Sequence, residues 1–228
     1  DNPEVKAALA AGIPVYKRAD FLGQLMSGCR TLAVAGAHGK TTTTAMLAYV
    51  LRQLDLDPSF IIGGTSTNLG ANAFAGKGDF FVIEADEYDY MFLGLSPELA
   101  IVTNIEHDHP DCFPTPEDFY NAFEQFSARL APEGSLVYCA DDPGANRLGQ
   151  AAALQGKRLF AYGLALDQPL DYTARGIQVQ AKRQSFQLYR RGEPLGSATP
   201  SVPRLHHLRN PLALLADDTY IRVAVGRD

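Results

Sequence analysis

Val34-Ala35-Gly36-Ala37-His38-Gly39-Lys40-Thr41-Thr42 is the stretch on which the reading of this chain turns. Before it, Thr31 to Ala35 is a short apolar run of strand length. After it, within residues 43–54, Ala45, Met46, Leu47, Val50, Leu51 and Leu54 recur at helical spacing. A loop between a buried strand and a helix start gathers unpaired backbone N–H groups at the positive end of the helix dipole, which favours phosphate. Gly36 and Gly39 allow the backbone to wrap an anion without Cβ clashes. Lys40 supplies a point charge for terminal phosphates, and the Thr41 hydroxyl can reach a Mg²⁺ ion. The usual pattern has a further glycine where Val34 stands, so this is the shorter G-x-x-G-K-T-T form.

Composition bounds the rest. A chain of 228 residues can build one substantial core, and 46% hydrophobic with 20% charged residues is ordinary globular usage. Acidic residues outnumber Lys and Arg by 26 to 20, a formal net charge of -6 with no basic run. That argues against nucleic acid or a membrane surface as partner, since both require concentrated positive charge. Cys29, Cys112 and Cys139 are odd in number and lack metal-type spacing, which suits free thiols in a reducing cytoplasm. No apolar run is long enough to cross a bilayer, and no signal peptide is seen.

Along the middle of the chain, compact apolar runs alternate with helical patterns. Phe80 to Ile83, Ala100 to Ile105, Ser135 to Cys139 and Arg158 to Tyr162 read as strands covered on both faces. Pro116 to Leu130 reads as a helix burying Phe119, Ala122, Phe123, Phe126 and Leu130, with Thr115, Pro116, Glu117 and Asp118 as its start signal. Asp142 to Ala153 is a second helix. The order implies an α/β fold, a mostly parallel sheet flanked by helices. After about residue 163, Ile177, Val179 and Ala181, then Phe186 and Leu188, alternate with polar residues. This predicts a small antiparallel β part flanking the main sheet.

Two further segments convert a phosphate loop into an expected active site. In Phe80-Phe81-Val82-Ile83-Glu84-Ala85-Asp86-Glu87-Tyr88-Asp89, a buried strand ends in carboxylates, the usual way of setting an acid beside a metal at the sheet's C-terminal edge. Glu84 comes first after the apolar run, so it is the expected Mg²⁺ ligand, with Glu87 expected to matter less. In Ala100-Ile101-Val102-Thr103-Asn104-Ile105-Glu106-His107-Asp108-His109-Pro110-Asp111, another strand runs into a loop with two histidines and three acids. Parallel strands end on one side, so this loop should lie near Glu84 and Lys40. Position alone leaves His107 and His109 undecided as a metal-linked histidine.

Together the three segments resemble the Mur ligase family, ATP-dependent amide-forming enzymes of peptidoglycan precursor synthesis. The family pattern reads G-T-H-G-K-T-T-T, E-A-D-E and T-N-I-E-x-D-H-x-D at similar separations. The opening Asn2-Pro3-Glu4, Gly12-Ile13-Pro14-Val15 and Arg18-Ala19, and the late Val202-Pro203-Arg204-Leu205-His206-His207-Leu208-Arg209-Asn210, are also similar. The resemblance spans roughly residues 2–215. It implies a phosphate-loop NTPase-like central domain over residues 29–215, a lead-in over 1–28 from an N-terminal UDP-binding domain, and a tail over 216–228 with the C-terminal domain absent.

The resemblance implies ATP and Mg²⁺ as cofactors. Gly36, Ala37, His38, Gly39, Lys40, Thr41 and Thr42 would hold the nucleotide, and Thr41, Glu84 and His109 the metal. Lys40, Glu84 and His109 would be catalytic, and Asn72, Asp86 and Asn210 would face substrate. Here the family's motif selects His109, followed by Asp111, over His107. The implied reaction joins L-alanine to UDP-N-acetylmuramate through an acyl phosphate. The alternatives are the family's tripeptide-adding recycling branch and a non-catalytic nucleotide-binding module. Arg204 and His207 depart from the family's Gly and Asn. No N-K-x-D motif of a GTPase occurs.

Overall fold

The computed structural model describes residues 2–164, 170–180, 183–199 and 211–213. In chain order the elements are α1 (Pro3–Ala10), α2 (Arg18–Leu25), β1 (Arg30–Ala35), α3 (Lys40–Gln53), β2 (Ser59–Ile61), β3 (Ala73–Phe74) and β4 (Phe80–Glu84). A 3-10 segment Tyr88–Gly94 follows, then β5 (Leu99–Val102), α4 (Pro116–Ala128), β6 (Ser135–Cys139), α5 (Pro143–Leu154) and β7 (Arg158–Gly163). The described chain closes with β8 (Tyr172–Gln180), β9 (Arg183–Arg190) and β10 (Glu193–Ala198).

All the described strands join one sheet in the order β10-β9-β8-β7-β6-β5-β1-β4-β2-β3. Pairing is parallel from β2 through β4, β1, β5, β6 and β7 to β8. It is antiparallel only for β2–β3, β8–β9 and β9–β10. The strands at the centre are buried along their length because helices cover both faces: Leu32 to Ala35, Phe80 to Ile83 and Leu99 to Val102 are all core. The chain moves from β1 toward β2 and β4 on one side and later to β5 on the other. The crevice at the C-terminal ends of β4, β1 and β5 is therefore where strand order reverses, the usual ligand position in such sheets.

Helix α4 shows how local sequence sets the frame. The Thr115 hydroxyl accepts from Asp118 N–H at 3.1 Å while Asp118 Oδ2 accepts from Thr115 N–H at 3.0 Å, closing a capping box before Pro116. Behind the cap, Phe123 and Phe126 pack on Phe92 of the 3-10 segment, with ring centroids at 5.4 and 4.7 Å. Arg147 of α5 grips Glu117 with two nitrogens at 2.7 and 2.8 Å and lies 3.6 Å over the Tyr120 ring, fixing α5 to α4.

Several expectations are corrected. The helix after the phosphate loop begins at Lys40, not near residue 43, and its buried face is Thr43, Thr44, Leu47, Ala48 and Leu51. Ala45, Met46 and Val50 are only half-buried, because they line a groove against the loop after β2. Strand β5 ends at Val102, leaving Thr103 to Ile105 in the loop. The antiparallel part expected after residue 163 is present as β8, β9 and β10, and it is joined to the edge of the main sheet because β8 pairs in parallel with β7 through Tyr162 and Tyr172. Strands β2 and β3 carry no alternation signal, being three and two residues long. Ala181 lies outside the described residues.

Candidate nucleotide site

The phosphate loop is held open by the loop after β5. Ala37 N–H donates to Asn104 O at 3.3 Å and His38 N–H to Asn104 Oδ1 at 2.9 Å, while the Thr103 hydroxyl donates to His38 O at 2.6 Å. Gly36 has φ 134°, and a Cβ there would collide with Thr103 Oγ1, so only glycine lets the two loops meet. Gly39 has φ 85° and serves as the N-cap of α3 without a side-chain cap bond. The amides of the first turn, from Gly39 to Thr42, are left with no acceptor within the helix, as an anion-binding terminus requires. Of the expected loop residues, His38 contributes backbone rather than side chain, its imidazole being 70% exposed.

At the mouth of this loop the Thr41 hydroxyl donates to Glu84 Oε1 at 2.9 Å, and Gly63 N–H donates to Glu84 Oε2 at 2.6 Å. Two oxygen-bearing side chains from different elements thus converge where a hard cation beside terminal phosphates would sit. Gly63 has no room for a side chain: an added Cβ would lie 2.7–2.9 Å from the Glu84 carboxylate. The Gly63-Gly64 turn after β2 is a part of the site that sequence reading missed. The paired glycines were its signal, overlooked because β2 itself went unseen. Beside Thr41 a groove of about 430 Å³ runs between α3 and the following loop, lined by Thr42, Tyr49, Gly64, Thr65 and Asn68.

Lys40 does not project freely. Its Nζ donates to Gly36 O at 2.6 Å and to both oxygens of Glu87 at 2.9 and 3.0 Å. Glu87 is 1% exposed, and His109 Nε2 stands 3.7 Å from its Oε1. Glu87, expected to matter less than Glu84 for the metal, is the more deeply buried of the two and is bonded to Lys40. The chain does not leave the core at Glu84: Ala85 N–H still bonds Val34 O at 2.8 Å, and the turn through Asp86 folds Glu87 back under the phosphate loop.

The two histidines separate cleanly. His107 Nε2 donates to Phe113 O at 2.8 Å and its ring meets Phe119 edge-on at 6.1 Å, so it braces its own loop. His109 faces Glu87, and the Tyr88 ring lies edge-on to it at 5.1 Å. The Tyr88 hydroxyl donates to Asp111 Oδ2 at 2.8 Å, and this bond to a carboxylate raises the tyrosine pKa above its usual value. Asp108 Oδ1 accepts from His109 N–H at 2.8 Å, which holds the Asp108 pKa below the usual range.

The expected substrate residues fare differently. Asp86 closes the turn into the 3-10 segment, accepting Tyr88 N–H on Oδ1 at 3.1 Å and Phe92 N–H on its carbonyl at 2.9 Å. Asn72 is exposed at the start of β3, its carbonyl taking Ile62 N–H at 2.7 Å. Asn210 lies outside the described residues, with Arg204, His206 and His207. Among the described residues no group of three or more His, Cys, Asp and Glu side chains converges on one point. Thr41–Glu84 and Glu87–His109 are instead two separate pairs, with Lys40 bonded to Glu87 of the second.

A parallel sheet with a strand–glycine loop–helix at its switch point, a lysine in the loop and a Thr–Glu pair at its mouth define a phosphate-loop nucleotide-binding α/β domain. The chain belongs to the Mur ligase middle domain family, which matches residues 34–216. It is 40% identical over 235 residues to UDP-N-acetylmuramate–L-alanine ligase of Frankia casuarinae, covering 98% of this chain and 46% of that protein. Among solved structures, UDP-N-acetylmuramate–alanine ligase of Thermotoga maritima superposes with a TM-score of 0.80 at 27% identity, over 100% of this chain and 49% of the other. UDP-N-acetylmuramate:L-alanyl-γ-D-glutamyl-meso-diaminopimelate ligase of Neisseria meningitides gives 0.78 at 28% identity, over 95% of this chain and 69% of the other. The chain spans about half the length of the curated relatives it matches.

Proposed function

We propose that this chain is the ATP-binding part of a ligase that joins L-alanine to UDP-N-acetylmuramate, working on small molecules in the cytoplasm and not on nucleic acid or membrane. The observation that carries the reading is the Thr41–Glu84 pair at 2.9 Å beside the open amides of the phosphate loop. The reaction that suits such a site is transfer of a phosphoryl group from ATP to the lactyl carboxylate. The acyl phosphate is then attacked by the amine, and phosphate leaves.

Phosphoryl transfer asks the protein for charge neutralisation and positioning more than for covalent help. Lys40 would meet the terminal phosphates, and the amides of Gly39 to Thr42 would orient them. Thr41 and Glu84 offer the hard oxygen donors that Mg²⁺ prefers, and His109 stands at the second pair. Mg²⁺ there would screen the repulsion between the phosphates and an attacking carboxylate. Asn104 and Thr103, bonded to the backbone of Ala37 and His38, would keep the loop in its phosphate-ready shape.

A second reading has its own support. Glu84 to Asp89 reads E-A-D-E-Y-D, as in the tripeptide-adding branch, and the similar Neisseria enzyme is a UDP-N-acetylmuramate:L-alanyl-γ-D-glutamyl-meso-diaminopimelate ligase. Calorimetry of the chain with ATP and Mg²⁺ tests the nucleotide site. Specific binding that is lost in Lys40→Ala is expected, and equal affinity in both proteins overturns it. Phosphate release by the protein extended with its native flanking sequence, with L-alanine against the tripeptide, separates the two branches.

A further inference from the structure

Among the described residues Glu87 is the most deeply buried acid, and a carboxylate taken out of water is costly unless it is paired. Its partner is the lysine expected to serve phosphate. Both oxygens accept from Lys40 Nζ, at 2.9 and 3.0 Å, and His109 Nε2 waits 3.7 Å from one of them.

The surrounding backbone is bent to make this meeting possible. Asp89, Tyr90 and His109 have φ of 51°, 56° and 55°, a left-handed conformation that side-chain-bearing residues seldom adopt. The bends at Tyr90 and His109 are braced. Tyr90 N–H bonds Glu87 O at 3.0 Å, Asp108 Oδ1 takes His109 N–H at 2.8 Å, and the Tyr90 ring packs edge-on against Phe113 at 5.1 Å. Strain held by so many separate contacts around one buried carboxylate points to a positional task for it.

We propose that Glu87 is a positioning residue that holds the Lys40 ammonium across the phosphate loop and turns to His109 when a phosphate takes Lys40 away. The inference rests on the nucleotide reading of Lys40 given above. A phosphate anion competes with Glu87 for the same ammonium protons. Once it wins, the carboxylate stays buried, and His109 Nε2–H is the other donor already at hand. A carboxylate set against a histidine ring nitrogen also fixes the ring's orientation. Filling of the phosphate loop is thereby felt by the loop of residues 107–113, which holds the histidine that would meet the second reactant. Glu87 itself touches neither nucleotide nor substrate.

Solution NMR of the Lys40 ammonium and the His109 ring tests this, with and without ATP–Mg²⁺. The nucleotide-free protein is expected to show a slowly exchanging Lys40 ammonium signal, identified by its loss in Lys40→Arg. Glu87→Gln, which keeps the shape and removes the charge, loses the signal; Glu87→Asp regains it. On adding ATP–Mg²⁺ the His109 ring signals shift in the wild type and stay in place in Glu87→Gln. Calorimetry supplies the energetic arm. Glu87→Gln tightens ATP binding about tenfold while Lys40 is present and restores no binding in a Lys40→Met background. An ammonium signal indifferent to Glu87→Gln, or an ATP affinity that Glu87→Gln leaves unchanged while Lys40 is present, overturns the proposal. A wild type that binds no ATP overturns the nucleotide reading and the handover with it, and the ammonium signal still judges the hold on Lys40.

Discussion

The Thr41 hydroxyl donates to Glu84 Oε1 across 2.9 Å, tying the first turn of α3 to the end of β4. The two residues are 43 apart in sequence and come together because β1, which leads into the loop, lies beside β4 in parallel register, Val34 opposite Glu84. A cation placed between them would replace a hydrogen bond with two metal–oxygen contacts, so the pair is preorganised rather than assembled by the ion.

Glu84→Ala is therefore expected to abolish the metal dependence of nucleotide binding while leaving the fold intact, since Glu84 is only half-buried. Mn²⁺ titration followed by paramagnetic relaxation reads this directly. Retention of a tight Mn²⁺ site in Glu84→Ala would remove the residue from the metal site.

Lys40→Ala carries two costs that a solvated lysine would not. Nucleotide binding disappears, and Glu87 is left buried without its cation. Breaking such a pair is expected to lower stability by about 3 kcal/mol, the low end of the range for buried pairs because Lys40 remains 15% exposed. Chemical denaturation checks the figure. The double variant Lys40→Met with Glu87→Gln should regain most of the stability and none of the binding.

The two glycines after β2 should differ sharply. Gly63→Ala forces a Cβ to within 2.7–2.9 Å of the Glu84 carboxylate, whereas at Gly64 the nearest atom is the Thr41 methyl at 3.3 Å. Gly63→Ala is expected to impair Mn²⁺ binding about as much as Glu84→Ala does, and Gly64→Ala to leave it nearly unchanged. Equal behaviour of the two variants would mean that the turn has no part in the metal site.

The histidines offer a parallel contrast. His107→Ala removes the bond to Phe113 O and should lower the melting temperature without altering nucleotide affinity. His109→Ala should do the reverse, changing ATP–Mg²⁺ binding with little loss of stability. Thermal melts and calorimetry on both variants settle the assignment, and a larger melting loss for His109→Ala would contradict it.

The link between α4 and α5 is expected to respond to acid. The Glu117 pKa is lowered from its ordinary value chiefly by its hydrogen bonds to Arg147. A depressed carboxylate pKa adds stability above the unfolded-state value and loses it as pH falls through the folded-state value, so the contribution fades below about pH 4.5. Both side chains are more than half exposed, and salt should weaken the pair further. In Arg147→Met the Glu117 carbon signal should titrate in the ordinary glutamate range; an unchanged midpoint would show that Arg147 is not the cause.

Much of this was legible in the chain itself. Gly36, Gly39, Lys40 and Thr41 declared the phosphate loop, because a strand, a glycine turn and a helix start need only local information. The capping box at Thr115 and Asp118 and the aromatic face of α4 were equally local, and the apolar runs named the strands at the centre of the sheet. What lies between distant segments was decided by the tertiary structure. Glu84 and Glu87 are three residues apart and chemically alike, yet one accepts from the Thr41 hydroxyl and the other is buried against Lys40. That difference depends on how far Ala85 keeps pairing with Val34 before the chain turns. Gly63 entered the site through a three-residue strand too short to show a period. The sequence by itself determined which chemistry is present; the packing of β4 against β1, and of the loop after β5 against the phosphate loop, decided which carboxylate and which histidine meet it. Hydrophobic patterning is a property of each segment, whereas a 3 Å contact between side chains depends on the registers of several strands at once.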